Sequence, residues 1–258
     1  MPSHAGATAW GWWARALFVA IALVAWPLIM LAPSRRWARG VARWGAWLWT
    51  RGARLPVNGE GLQQLAGVRQ PCVLVANHAS KLDAIVVLAA LPLSFALVGK
   101  SELQRRAWLR WPLQRLGVLF VRRGGVKRGP SDTERAIDRL RGGDNLFFFP
   151  EGTFGDGPGL LPFHHGAFVA SVAAGAPVVP VAIRGTRAVL RDLGCLPRRG
   201  PVAIEVGAAI DAEAGGDPGQ QADTLLARAR AFIAARCGEP DLGTDVPGAD
   251  PGADLEGQ

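Results

Sequence analysis

The sequence predicts an α/β domain built on one mixed sheet, preceded by two membrane-associated helices. Three observations lead there. Beyond about residue 70, short apolar runs alternate with helical stretches. A charge-free run, Ala16 to Ser34, lies near the N-terminus. An arginine- and tryptophan-rich stretch follows it at once. With 258 residues, 49% of them apolar and 19% charged, the chain has enough material for one packed domain with short additions at each end.

The N-terminal unit comes first. The nineteen residues from Ala16 to Ser34 would span roughly 28 Å as a helix, just short of a hydrocarbon core of about 30 Å. Pro27 divides the run, so a single span, a kinked re-entrant helix and an interfacial helix all fit. A secretory signal fits less well, because only Arg15 precedes the run and no small-x-small cleavage site follows. Arg35 to Arg54 then holds six further arginines, interleaved with Trp37, Trp44, Trp47 and Trp49. Such a stretch suits an amphipathic helix on an anionic leaflet and places the rest of the chain on the cytoplasmic side. Residues 1–54 are therefore the anchor, 55–237 the α/β domain, and the acidic, Gly- and Pro-rich 238–258 a disordered tail.

Charge and tryptophan distribution agree. The net charge is +8, yet residues 238–258 carry six acidic side chains and no basic one, so the remainder carries +14. A body that basic suits nucleic acid or a membrane surface. Eight of the ten Trp lie between Trp10 and Trp49, and indole suits the boundary between headgroups and acyl chains. A membrane partner is therefore expected, and no nucleic acid. Cys72, Cys195 and Cys237 show no C-x-x-C spacing, which argues against both a disulfide framework and a zinc site.

In the domain, strands are expected at Cys72–Ala76, Phe95–Val98, Val118–Val121, Leu146–Phe149, Val178–Ile183 and Val202–Val206. They are continuous apolar runs, as in sheets covered on both faces. Helices are expected near 82–91, 102–115, 131–141, 166–175 and 220–236. The third of these opens with Ser131 and Glu134, the spacing of a capping box.

The first strand runs into Asn77-His78-Ala79-Ser80-Lys81-Leu82-Asp83. An imidazole is well suited to remove a proton near neutral pH, provided that a carboxylate fixes its tautomer. Five positions along an ideal helix leave two side chains about 140° apart. His78 and Asp83 therefore meet only if His78 lies in the turn before a helix that Asp83 opens. Three further segments keep the pair company. Gly117-Val118-Leu119-Phe120-Val121-Arg122-Arg123 puts arginines at a strand exit. Phe149-Pro150-Glu151-Gly152-Thr153 puts a carboxylate and a turn at another. Val179-Pro180-Val181-Ala182-Ile183 is an apolar strand that contains proline. Ligands of open α/β sheets collect outside the carboxyl ends of the strands.

These four blocks, in this order and at these separations, resemble the lysophospholipid acyltransferase family over about residues 70 to 210. The resemblance implies that His78 is the general base for the acceptor hydroxyl and that Asp83 orients it. It implies an acyl thioester co-substrate, acyl-CoA or acyl carrier protein, and neither cofactor nor metal. By the same resemblance Asn77, Ser80, Gly117, Phe120, Arg122, Glu151, Gly152 and Thr153 belong to substrate binding. The acceptor it implies is a lysophospholipid, 1-acyl-sn-glycerol-3-phosphate first, at the inner membrane. One departure stands out: after Glu151-Gly152-Thr153, relatives usually have arginine then serine, and this chain has Phe154 and Gly155. Arg184 and Arg187 are candidates to replace the lost phosphate ligand; alternatively the headgroup differs, as in lysophosphatidylethanolamine or a lyso-aminolipid. His164 and His165 are expected to line the groove. A catalytically silent lipid-binding module remains the competing reading. No G-x-S-x-G elbow, Walker loop or H-E-x-x-H occurs.

Overall fold

A computed structural model describes residues 4–121, 131–153, 157–190, 195–213 and 215–243. Helix α1 (His4–Leu31) and helix α2 (Arg35–Gly52) form an N-terminal hairpin. Pro27 lies inside α1 without ending it, so the apolar helix is longer than the charge-free run alone implied. Its segment Thr8–Leu31, 24 residues with mean hydropathy 2.2, is long and apolar enough to cross a bilayer. Ser34 caps α2 by accepting a bond from the Trp37 amide. Indole N–H groups staple the pair: Trp10 donates to the Ala53 carbonyl and Trp49 to that of Ala14, both at 2.9 Å.

Next come strands β1 (Val57–Glu60), β2 (Val73–Ala76), β3 (Ala96–Lys100), β4 (Leu119–Val121), β5 (Leu146–Phe148), β6 (Val178–Arg184) and β7 (Val202–Val206). They make one seven-stranded sheet in the order β1-β7-β6-β2-β5-β3-β4. The five strands from β6 to β4 run parallel, and β7 meets β6 antiparallel. The sheet is therefore mixed, as expected. Helices α3 (Asp83–Ala90), α4 (Ala107–Arg115), α5 (Asp132–Arg141), α6 (Gly166–Ala174), α7 (Thr186–Val189) and α8 (Pro218–Cys237) complete the domain. The capping box at Ser131 and Glu134 forms.

Both faces of the sheet are covered. All four residues of β2 are buried, which accounts for its unbroken apolar run. On one face Leu74, Ala76 and Val181 pack with Val86 and Val87 of α3. That same cluster takes in Trp10, Ala14, Trp49 and Ala53 of the N-terminal hairpin. On the other face Val73, Val75 and Val178 pack with Phe168 of α6 and Ile233 of α8. Cys72 is fully buried, and burial pushes its thiol up to about 12, so it acts as a small core residue.

Two expectations change. The boundary at residue 54 separates sequence textures but not cores, because the hairpin shares a core with the sheet. The start of the acidic tail is structured rather than disordered: the Leu160 amide donates to the Pro240 carbonyl at 2.8 Å, and the Leu242 amide to that of Leu160 at 3.2 Å. The remainder of the tail lies outside the described residues.

Candidate active site

Parallel strands deliver their carboxyl ends to one edge of the sheet, and the site is built there. Strand β2 ends at Ala76, and residues 77–82 form the turn that leads into α3. Asn77 fixes the departure. Its side-chain amide donates to the Ile183 carbonyl and its oxygen accepts from the Ile183 amide, each at 2.8 Å. Asn77 thus extends the pairing of β2 with β6 by one side chain, and it is only 2% exposed.

His78 stands in the turn and Asp83 opens α3, the arrangement their spacing required. His78 Nδ1 lies 2.9 Å from Asp83 Oδ2. The same oxygen accepts the backbone amides of Ala79 and Ser80, both at 2.8 Å. Asp83 is completely buried. Bonds to the charged form favour it, so three donors on one oxygen offset the cost of burying a carboxylate. With Asp83 accepting from Nδ1–H, Nε2 is the ring nitrogen left to take a proton. Phe149, just past β5, stacks on the imidazole with ring centroids 4.2 Å apart and planes 21° apart.

The Glu151 carboxylate closes the frame from β5. One oxygen accepts the His78 amide at 2.5 Å and the other accepts the Leu161 amide at 2.7 Å. Burial raises Glu151 to about 7, against the lowering effect of these two bonds; Asp83 adds to the rise and Arg230 opposes it. Gly152 adopts φ +64°, a turn conformation that suits a residue without Cβ, and its amide donates to the Phe149 carbonyl. The Thr153 hydroxyl accepts from Lys100 Nζ, at the end of β3, at 3.2 Å.

Several residues expected to touch substrate hold the frame of the site. Asn77 and Glu151 commit their polar atoms to backbone, as described. Ser80 is fully buried; its hydroxyl donates to the Leu190 carbonyl and accepts the Leu82 amide. Phe120 is buried within β4. Gly117 precedes β4 and so lies at the opposite, amino edge of the sheet, where its carbonyl accepts from Arg139 and a Cβ would meet Arg39 at 3.1 Å. Arg184 ends β6 at the carboxyl edge, half exposed and loosely paired with Glu60 at 3.9 Å. Arg187 is held by Glu239 at 2.8 Å, with both side chains mostly buried. Arg122 and Phe154 lie outside the described residues. His165 is exposed and pairs with Asp223 at 3.0 Å. Among the described residues no three His, Cys, Asp or Glu side chains converge as a metal site would need.

The sequence reading missed Phe149, Lys100, Arg230 and Glu239. Lys100 was within reach of the rule used for the arginines, since it is a cation at a strand's carboxyl end. Phe149 sat inside a quoted motif, but nothing in its position announced stacking. Glu239 and Arg230 depend on contacts with segments 52 to 80 residues away.

Comparison with known proteins accords with this architecture. A model of the acyltransferase family matches residues 55–184. The chloroplastic 1-acyl-sn-glycerol-3-phosphate acyltransferase BAT2 of Brassica napus is 34% identical over 127 residues, covering 49% of this chain and 37% of that protein. The lyso-ornithine lipid O-acyltransferase of Pseudomonas aeruginosa is 38% identical over 151 residues, covering 55% and 53%. The 1-acyl-sn-glycerol-3-phosphate acyltransferase of Neisseria gonorrhoeae is 36% identical over 118 residues, 43% of each chain. These matches span about a third to a half of the relatives' own length. The crystal structure of the 1-acyl-sn-glycerophosphate acyltransferase PlsC from Thermotoga maritima superposes with a TM-score of 0.69 at 20% identity, covering 86% of this chain and 94% of that one, and so shares its fold. With the family model spanning half of its residues, the chain belongs to the acyltransferase family.

Proposed function

We propose that the protein transfers a fatty acyl group from an acyl thioester to the free hydroxyl of a lysolipid at a membrane surface. The observation that carries this reading is the buried Asp83 carboxylate bonded to His78 Nδ1 at the carboxyl edge of the sheet. In the step, Nε2 of His78 removes the acceptor's hydroxyl proton as the oxygen attacks the thioester carbonyl. The carbon–sulfur bond then breaks, the new ester forms, and the imidazolium returns its proton to the departing thiolate. Asp83 stabilises the transient charge on the ring. A well-placed base contributes about 10²- to 10⁴-fold in rate.

The donor is a thioester of coenzyme A or of acyl carrier protein, and 1-acyl-sn-glycerol-3-phosphate is the first acceptor on the four-block pattern. Lys100, beside Thr153 at the catalytic edge, supplies a positive charge for an anionic headgroup. The pairing of Arg187 with Glu239 favours a second acceptor class. It occupies one of the two arginines that would compensate for Phe154, which suits a headgroup with less negative charge, such as a lyso-ornithine lipid. The membrane setting rests on the tryptophans. Eight of the ten are more than 40% exposed: Trp12, Trp13, Trp26, Trp37, Trp44, Trp47, Trp108 and Trp111. Interfacial burial accounts for such a set far better than core packing. The reading places the protein on the cytoplasmic face of the inner membrane.

The test is to give the purified protein one labelled acyl thioester and a panel of lysolipids in vesicles. Ester formation with at least one, lost in His78→Ala, supports the reading. Vesicle binding with no transfer to any acceptor would replace it with a silent lipid-binding module.

A further inference from the structure

The C-terminal segment after α8 is tied to the catalytic turn by a continuous run of bonds. Among the described residues the Glu239 carboxylate makes two contacts: one oxygen meets Arg187 Nε at 2.8 Å, and the other accepts the Gly159 amide at 2.6 Å. Pro240 and Leu242 bracket Leu160 through backbone bonds, in parallel-strand fashion. Leu242 also packs over Gly159, where a Cβ would meet its side chain at 2.4 Å. Arg230 of α8 ties the same two strands together from the side. It donates to the Leu161 carbonyl at 2.6 Å and pairs with Asp241. Residues 159–161 are therefore held in part by residues 239–242.

That position matters because the Leu161 amide donates to Glu151, whose other oxygen accepts the His78 amide. Leu160 anchors this pairing in the core beneath α6 and α8, but Gly159 has no side chain and Leu161 is only partly buried, so polar contacts must set the register of their backbone. The carboxylate of Glu239, bridging an arginine and a backbone amide, supplies the fixed point.

We propose that Glu239 is a positioning residue for acyl transfer, and that segment 239–242 is a built part of the catalytic scaffold which holds the 159–161 strand, and through Glu151 the His78 turn, in register. This rests on the acyltransferase reading, but it can fail while that reading stands.

The pH profile separates positioning from general stability. The groups facing Glu151 are His78 and Asp83 from the β2–α3 turn, and Arg230 and Cys237 from α8. The Leu161 bond lowers the Glu151 pKa, so losing it leaves burial less opposed. Ionised Glu151 is the form that can accept both the His78 and Leu161 amides, so the acid limb of kcat then moves to higher pH.

The experiment compares the wild type with four variants in phosphatidylglycerol-containing vesicles, using whichever acceptor the wild type acylates. Ending the chain after Gly243 should leave kcat within about twofold of wild type, and ending it after Gly238 should lower it at least tenfold. Glu239→Ala should lower kcat at least fivefold with KM changed less than twofold, and shift the acid limb upward. Glu239→Gln, which can still accept the Gly159 amide, should recover at least half of the lost rate. Should the shorter truncation fail to melt cooperatively, the Glu239→Ala and Glu239→Gln pair decides alone. Wild-type kcat and an unmoved acid limb in Glu239→Ala would overturn the proposal, as would a change confined to KM. A wild type inactive on every acceptor would overturn the acyltransferase reading instead.

Discussion

Asp83 Oδ2 serves three donors at once, and much of the site's order traces to that one atom. Replacing Asp83 with Asn removes the charge that stabilises the imidazolium and can set an amide N–H2 against backbone N–H groups. We expect a rate loss of about 10²- to 10⁴-fold. We also expect about 1–3 kcal/mol of destabilisation from the unpaired donors, read from single-turnover acyl transfer and thermal unfolding. Glu151 gives a pH-dependent prediction. Its folded pKa, about 7, lies above its ordinary value of 4.5. The neutral carboxyl therefore contributes stability that is fully present below pH 4.5 and is lost as the pH rises through 7. Relative to Glu151→Gln, the wild type should lose stability between pH 5 and pH 8. A flat difference across that range would show that the carboxyl is ionised throughout. At this scale the sequence revealed chemistry better than contacts. The His78–Asp83 spacing demanded a strand-to-helix junction, and the junction is there. Asn77, Ser80 and Glu151 were legible as polar groups near His78. That they serve backbone atoms of Ile183, Leu190 and Leu161 depends on pairings no local pattern encodes.

Among the elements, the expected strands all form, because buried parallel strands leave continuous apolar runs. Strand β1 was missed for the converse reason: its sequence VNGE has no apolar run and three of its four residues are exposed. It exists through its pairing with β7. Helix α7, four residues long, is too short to show a period. At the amino edge of the sheet, α2 is coupled to the domain through Asp144, which pairs with Arg39 at 3.0 Å and with Arg139 at 2.6 Å. Burial alone would raise Asp144, but hydrogen bonds and charge from the two arginines hold it below its ordinary 3.8. Asp144→Asn should cost about 3 kcal/mol, at the low end for breaking a buried pair because the carboxylate keeps some contact with solvent. The difference should be full above pH 3.8 and close as the pH falls further, as acid unfolding of the two proteins would record.

For the whole molecule, the N-terminal hairpin and the α/β domain are one packed body. Trp10, Ala14, Trp49 and Ala53 are buried in the cluster that contains Leu74 and Val181 of the central strands. Removing residues 1–54 should therefore abolish cooperative unfolding rather than release a soluble domain. A fragment 55–258 that melts cooperatively near the wild-type temperature would contradict this. Texture made the N-terminal unit easy to see in the sequence, and the same texture hid its share of the core. The catalytic claim itself is tested most directly by acyl transfer from a labelled thioester to a lysolipid in anionic vesicles, comparing wild type with His78→Ala. The account predicts that the variant stays folded and vesicle-bound while its rate falls at least 10²-fold. A folded, bound His78→Ala protein that transfers acyl groups at the wild-type rate would contradict it.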